Sequence, residues 1–209
     1  MDLRLQQKQI SFTVLLIGIM LILSTVGKTQ NSPIKIACVG NSVTFGYGLK
    51  DPATRSYPAL LQEKLGPNYK VENFGHSGAT LLRKGHRPYF KTPEFRKAIA
   101  LKADIVIIHL GLNDTDPRDF PNFRDDFIPD YNWLIDTFRH SNPSAKIYIC
   151  KMTPIFTGHP RFLSSTFSWY RDLQKRIEQV AQINNVPLID LFDAFHDRPD
   201  LITDAPTLH

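Results

Sequence analysis

Three short segments of the chain hold residue types suited to acyl transfer: Gly40-Asn41-Ser42-Val43-Thr44-Phe45-Gly46, Gly75-His76-Ser77-Gly78-Ala79-Thr80 and Gly111-Leu112-Asn113-Asp114. A serine hydroxyl can attack a carbonyl carbon, and the oxyanion that forms needs preorganised hydrogen-bond donors about 3 Å away. The backbone N–H groups of Ser42 and Gly78 offer two such donors, because glycine lets the backbone come close to a ligand. The side-chain amide of Asn113 offers a third that carries no charge. Each donor of this kind typically stabilises the transition state by about 3 kcal/mol.

Residues so far apart in sequence act together only if the fold gathers them. Each of the three segments follows an apolar run rich in β-branched residues. Five such runs recur, at Lys35–Gly40, Lys70–Gly75, Asp104–Gly111, Lys146–Met152 and Pro187–Phe192. Nearly continuous apolar runs suit strands buried on both faces, as in a parallel sheet. Helices are expected between them, near Tyr57–Leu65, Pro93–Lys102, Asp125–Arg139 and Phe167–Asn184. The last places Trp169, Leu173, Ile177, Val180 and Ala181 on one face at helical spacing,. Strand and helix alternate throughout, which predicts an α/β fold, a three-layer α/β/α sandwich around a five-stranded parallel sheet. Ligands of open parallel sheets bind beyond the carboxyl ends of the strands. Ser42, Gly78 and Asn113 all fall there.

The segments GNSVTFG, NFGHSGAT and HLGLND resemble the first three sequence blocks of the SGNH (GDSL-like) hydrolases, in the same order and after the corresponding strands. The resemblance runs from about Lys35 to the end of the chain. It implies the flavodoxin-like fold of that family, with Ser42 as nucleophile and with Ser42, Gly78 and Asn113 as the oxyanion hole. The longer stretches SGATLLRKGHRPYF and HLGLNDTDPRDFPNFRDDFIPDY are similar to the sialate O-acetylesterase-like branch of exported carbohydrate esterases. An O-acetylated small molecule or oligosaccharide is the implied substrate, and no cofactor is implied. Two other readings stay open: a carbohydrate-binding relative with an impaired catalytic centre, and a lysophospholipase or acyltransferase on the same fold.

The chain departs from the family pattern twice. Asn41 stands where the first block usually has Asp, and an Asn can still bond locally in such a turn. The family's general base lies in an Asp-x-x-His block after the fifth strand, usually followed by a closing helix. Here the chain reads Asp204-Ala205-Pro206-Thr207-Leu208-His209. Either the loop carries an insertion, or the pair is not kept, or the chain is cut directly after its histidine. Matched to the family, His209 is the base and Asp204 its orienting partner. His196, which follows the strand closely, is the second choice. His76 and His86 suit substrate contact, His109 a satisfied core hydrogen bond, and His159 a loop. Arg83, Lys84, His86 and Arg87 form either a solvated face or a cradle for an acidic or polyhydroxylated sugar, with Arg83, His86 and Arg87 as its binding residues.

Arg4 and Lys8 precede an uncharged apolar stretch, Ile10–Val26, that ends in small residues. This is the pattern of a secretory signal peptide over residues 1–27, followed by one hydrolase domain over 33–209,. Export to the periplasm or beyond is expected, with membrane contact only through that segment if it stays uncleaved. The two cysteines, Cys38 and Cys150, read as buried thiols. The formal charge of +5 is scattered without a basic run, which argues against nucleic acid as a partner,. No spacing of His, Cys, Asp and Glu suggests a metal site.

Overall fold

Five strands pair in parallel in the order β2-β1-β3-β4-β5. They are β1 (Ile34–Gly40), β2 (Tyr69–Gly75), β3 (Ile105–His109), β4 (Lys146–Cys150) and β5 (Leu188–Ile189). The structure is a computed structural model, and it describes residues 32–156 and 166–201. Residues 1–27, His159, Asp204 and His209 therefore lie outside the described residues.

Helices follow the strands as the alternation requires. Ser42–Phe45 (α1), Pro52–Arg55 (α2) and Tyr57–Leu65 (α3) join β1 to β2, and Pro93–Leu101 (α4) joins β2 to β3. Phe127–Ser141 (α5) leads to β4, Thr166–Asn184 (α6) to β5, and Leu191–Phe195 (α7) follows β5. The fifth apolar run is read wrongly as a strand through Phe192. Its strand is only two residues long, and Leu191 and Phe192 belong to α7. Asp190 explains the switch: its side chain accepts the Asp193 N–H at 2.9 Å and starts a helix where the apolar pattern alone would continue a strand,.

Alternate residues of each strand face opposite sides of the sheet. Ala37, Val39, Val106, Ile108, Ile147 and Ile149 join the main core, which also holds Ala98, Ile135, Phe138, Leu173 and Ile177 from α4, α5 and α6. The opposite face carries Ile107, His109 and Cys150, with α3 packed over part of it. Beside α3 this face opens into an apolar groove of about 560 Å³. Cys38 and Cys150 are free thiols. Burial pushes both up to about 12, so they stay protonated and inert at neutral pH,.

The hydroxyl of Tyr131, on α5, is fully buried and has no hydrogen-bond partner among the described residues. An orphaned polar group in a core is a net cost. Tyr131→Phe is expected to raise the unfolding free energy by about 1 kcal/mol. Chemical denaturation of both proteins would measure it, and a loss of stability would mean that the hydroxyl has a partner.

Candidate active site

The register of the sheet brings the three sequence segments together. Gly40 pairs with Gly75 on β2 and with His109 on β3, so β1, β2 and β3 end side by side. Their continuations start from one edge, and the His76 N–H donates to the Gly40 carbonyl at 2.9 Å. Gly75 has a steric role at this edge. A Cβ there would overlap the backbone of Thr44 and Phe45, so only glycine lets α1 lie against the end of β2.

Ser42 is the first residue of α1. Its N–H is therefore among those that a helix leaves without an internal partner. Asn41 caps the helix, its Oδ1 accepting the Val43 N–H at 3.0 Å. The Asn that replaces the family's usual Asp thus organises the turn through its side-chain oxygen, as expected from its ability to bond locally.

Gly78 sits in a tight turn closed by the Ala79 N–H donating to the His76 carbonyl at 3.0 Å. Its φ of +82° is a conformation that favours glycine,. The Gly78 N–H makes no hydrogen bond among the described residues. Asn113 is buried in a 3₁₀ turn after β3, and its Nδ2 donates to the Ala79 carbonyl at 2.9 Å. One bond therefore ties the third segment to the turn of the second.

The basic cluster divides. The Arg83 guanidinium stacks over Trp133, 4.4 Å from the ring centroid, and over Phe90 at 5.5 Å. Such stacking gives an exposed cation a structural anchor. Lys84 pairs with Asp126 at 3.0 Å on the surface. The His86 ring is held through Nδ1 by Asp119 at 2.7 Å. The Arg87 side chain lies over Gly78, with Nη1 2.6 Å from where a Gly78 Cβ would be, so Arg87 is the member that borders the candidate oxyanion turn. The ring of His76 is engaged with Glu94 at 2.9 Å.

His86, Asp116 and Asp119 bring ligand-type atoms within 4.8 Å of one another, the arrangement among the described residues that comes nearest to a metal site. Its groups already have partners. Arg118 grips both Asp116 oxygens at 2.8 and 2.7 Å and holds that carboxyl well below the usual range, while Asp119 is committed to His86.

Two histidines differ from expectation or need comment. His109 makes no core hydrogen bond: it is fully buried, and neither ring nitrogen has a partner among the described residues. The end of β3 turns it to the groove face, where it lines the same groove as Ser42 and Ile107. Burial lowers it to about 4, so it is neutral,. His196 stacks on Phe192 and bonds to the Asp193 carbonyl through Nδ1, with Asp197 3.1 Å from Nε2. Sequence reasoning passed over Asp114, Asp119 and Asp130, whose carboxylates accept backbone N–H groups of Leu81, Leu82, His86 and Arg83. Asp114 was within view, as the last residue of GLND, but its partner lies 33 residues away in sequence.

Comparison with known proteins bears on the family and the fold. A curated acetylxylan esterase from Xylanibacter ruminicola is 38% identical over 117 residues, covering 56% of this chain. The match spans only 24% of that relative's length. Among solved structures, an aryl esterase of M. smegmatis superposes with a TM-score of 0.61 at 22% identity, over 75% of this chain and 83% of that one. A carbohydrate acetylesterase from Sinorhizobium meliloti gives 0.63 at 19% identity, over 76% and 84%. Both likenesses are of fold. The family model of the GDSL-like lipases and acylhydrolases matches residues 38–209, and the chain belongs to that family.

Proposed function

We propose that this protein is a serine esterase that removes O-acyl groups, acetyl above all, from carbohydrates. Ser42 Oγ attacks the acyl carbon while His209, oriented by Asp204, takes its proton. The oxyanion is held by the N–H groups of Ser42 and Gly78 and by the Asn113 amide. The proton then passes to the sugar oxygen as its bond to the acyl carbon breaks, so that the sugar leaves as its hydroxyl form, and His209 activates the water that releases the acid. The reading rests above all on the shared register of Gly40, Gly75 and His109, which ends three strands together beside Ser42, Gly78 and Asn113. The similarity to an acetylxylan esterase supports acetylated xylan as the first substrate to try. Arg87, bordering Gly78, is the best-placed of the basic residues to meet a sugar hydroxyl.

A second reading has its own observation. Ser42, Val43, Tyr47, Leu60 and Leu191 line the groove of about 560 Å³ on the outer sheet face. An apolar groove that begins at the nucleophile suits a longer acyl chain, as in a lysophospholipase. Acetic acid release from acetylated xylo-oligosaccharides should be compared with hydrolysis of p-nitrophenyl acetate, p-nitrophenyl octanoate and a lysophospholipid. The carbohydrate reading expects kcat/KM to favour the acetylated sugar and His209→Ala to abolish turnover. Preference for octanoate or the lysolipid would replace it with the second reading. Full activity of His209→Ala would move the role of base to His196.

A further inference from the structure

Side chains from the stretch between Asn113 and Asp130 hold the backbone of the loop that follows Gly78. Asn113 takes the Ala79 carbonyl. Asp114 has no exposed surface, and its two carboxylate oxygens accept the N–H groups of Leu81 at 2.9 Å and Leu82 at 2.7 Å. Farther along, Asp130 accepts the Arg83 N–H at 2.8 Å and Asp119 the His86 N–H at 2.8 Å. A carboxylate without solvent is expensive to keep, and charge-assisted bonds to backbone N–H groups offset that cost. Of the three acids, Asp114 acts nearest to Gly78, and it adjoins Asn113.

We propose that Asp114 is a positioning residue for the oxyanion hole: its carboxylate, bridging the Leu81 and Leu82 amides, fixes the turn that carries Gly78 relative to Asn113. The inference rests on the acyl-transfer reading above. Asp114 touches no reacting atom. It acts through the placement of a backbone N–H, and donors to an oxyanion must be held to within about 0.5 Å. The bridge needs the anion, because a proton on either oxygen sets an O–H donor against an N–H. Burial pushes Asp114 up to about 7, against the lowering effect of the Leu82 and Leu81 amides, and the Asp119 charge adds to the rise. The ionisable groups facing it are Asp119 and, from α5, Tyr131. Acidification below neutral should therefore loosen the turn as well as protonate the general base.

The test compares Asp114→Asn with Asp130→Asn, since both remove an acid that holds a loop amide but only the first lies beside the oxyanion turn. With p-nitrophenyl acetate, Asp114→Asn is expected to lower kcat by about 10²-fold, the cost of a small misplacement of catalytic groups, with KM unchanged. Asp130→Asn should lose stability with kcat retained. The acid limb of log kcat against pH should approach a slope of two in the parent protein and one in Asp114→Asn. Wild-type kcat in Asp114→Asn, a loss confined to KM, or an equal loss in Asp130→Asn would overturn the proposal. If Asp114→Asn does not fold by circular dichroism, the parent profile decides alone: a slope of two supports the proposal and a slope of one ends it. Ser42→Ala, run alongside, separates the two failures, because activity surviving there would sink the esterase mechanism rather than the role of Asp114.

Discussion

Ser42→Ala is expected to lower ester hydrolysis by several powers of ten while leaving the protein folded. Removal of a covalent nucleophile leaves only the contributions of binding and of the oxyanion hole, a residue of activity roughly 10³-fold or more below the parent. The fold should tolerate the change. Ser42 is half-buried at the start of α1, the cap is provided by Asn41 rather than by Ser42, and alanine is the best helix former,. Initial rates with p-nitrophenyl acetate and a thermal melt would be measured on the same preparation. Parent-like turnover would remove Ser42 from the mechanism, and a large drop in melting temperature would make the loss of rate uninformative.

The second large effect is expected at Asn113. Asn113→Ala should lower kcat by roughly 10²–10³, the range found when one oxyanion donor is removed, with little change in KM. Asn113 also donates to the Ala79 carbonyl, so its loss releases one tie on the turn that carries Gly78. The two contributions act in the same direction and both appear in kcat. A change confined to KM would instead make Asn113 a group that binds the substrate in its ground state. Combining Asn113→Ala with Asp114→Asn is informative here. Neighbouring groups that serve one purpose give non-additive losses, so the double variant should lose less than the product of the single losses.

Much of the molecule is legible in the chain because its signals are local. The β-branched runs mark β1 to β4 to within a few residues, and α3 is found with both of its ends correct. The three segments at the carboxyl ends of β1, β2 and β3 follow from the same reading, since parallel strands that begin at one edge also end at one edge. Asn41 shows how local chemistry carries over: a short polar side chain before a helix is a cap whether it is Asp or Asn,. Where a local signal was ambiguous the reading failed. PLIDLF has the composition of a strand, yet Asp190 caps a helix within it.

What only the tertiary structure decided is which partner each polar side chain takes. His109 belongs to a strand by sequence, but whether it finds a hydrogen bond depends on the neighbours that the sheet face supplies, and among the described residues neither ring nitrogen finds a partner. Arg83 and Arg87 are equivalent as sequence, yet one stacks on Trp133 from α5 while the other lies over Gly78. The carboxylate of Asp114 meets backbone amides more than 30 residues upstream, a pairing set by the crossing of two loops at one sheet edge. Propensity and periodicity report how a residue treats its near neighbours along the chain. A hydrogen bond between distant segments depends on where the packed core brings their backbones, and no local pattern encodes that distance.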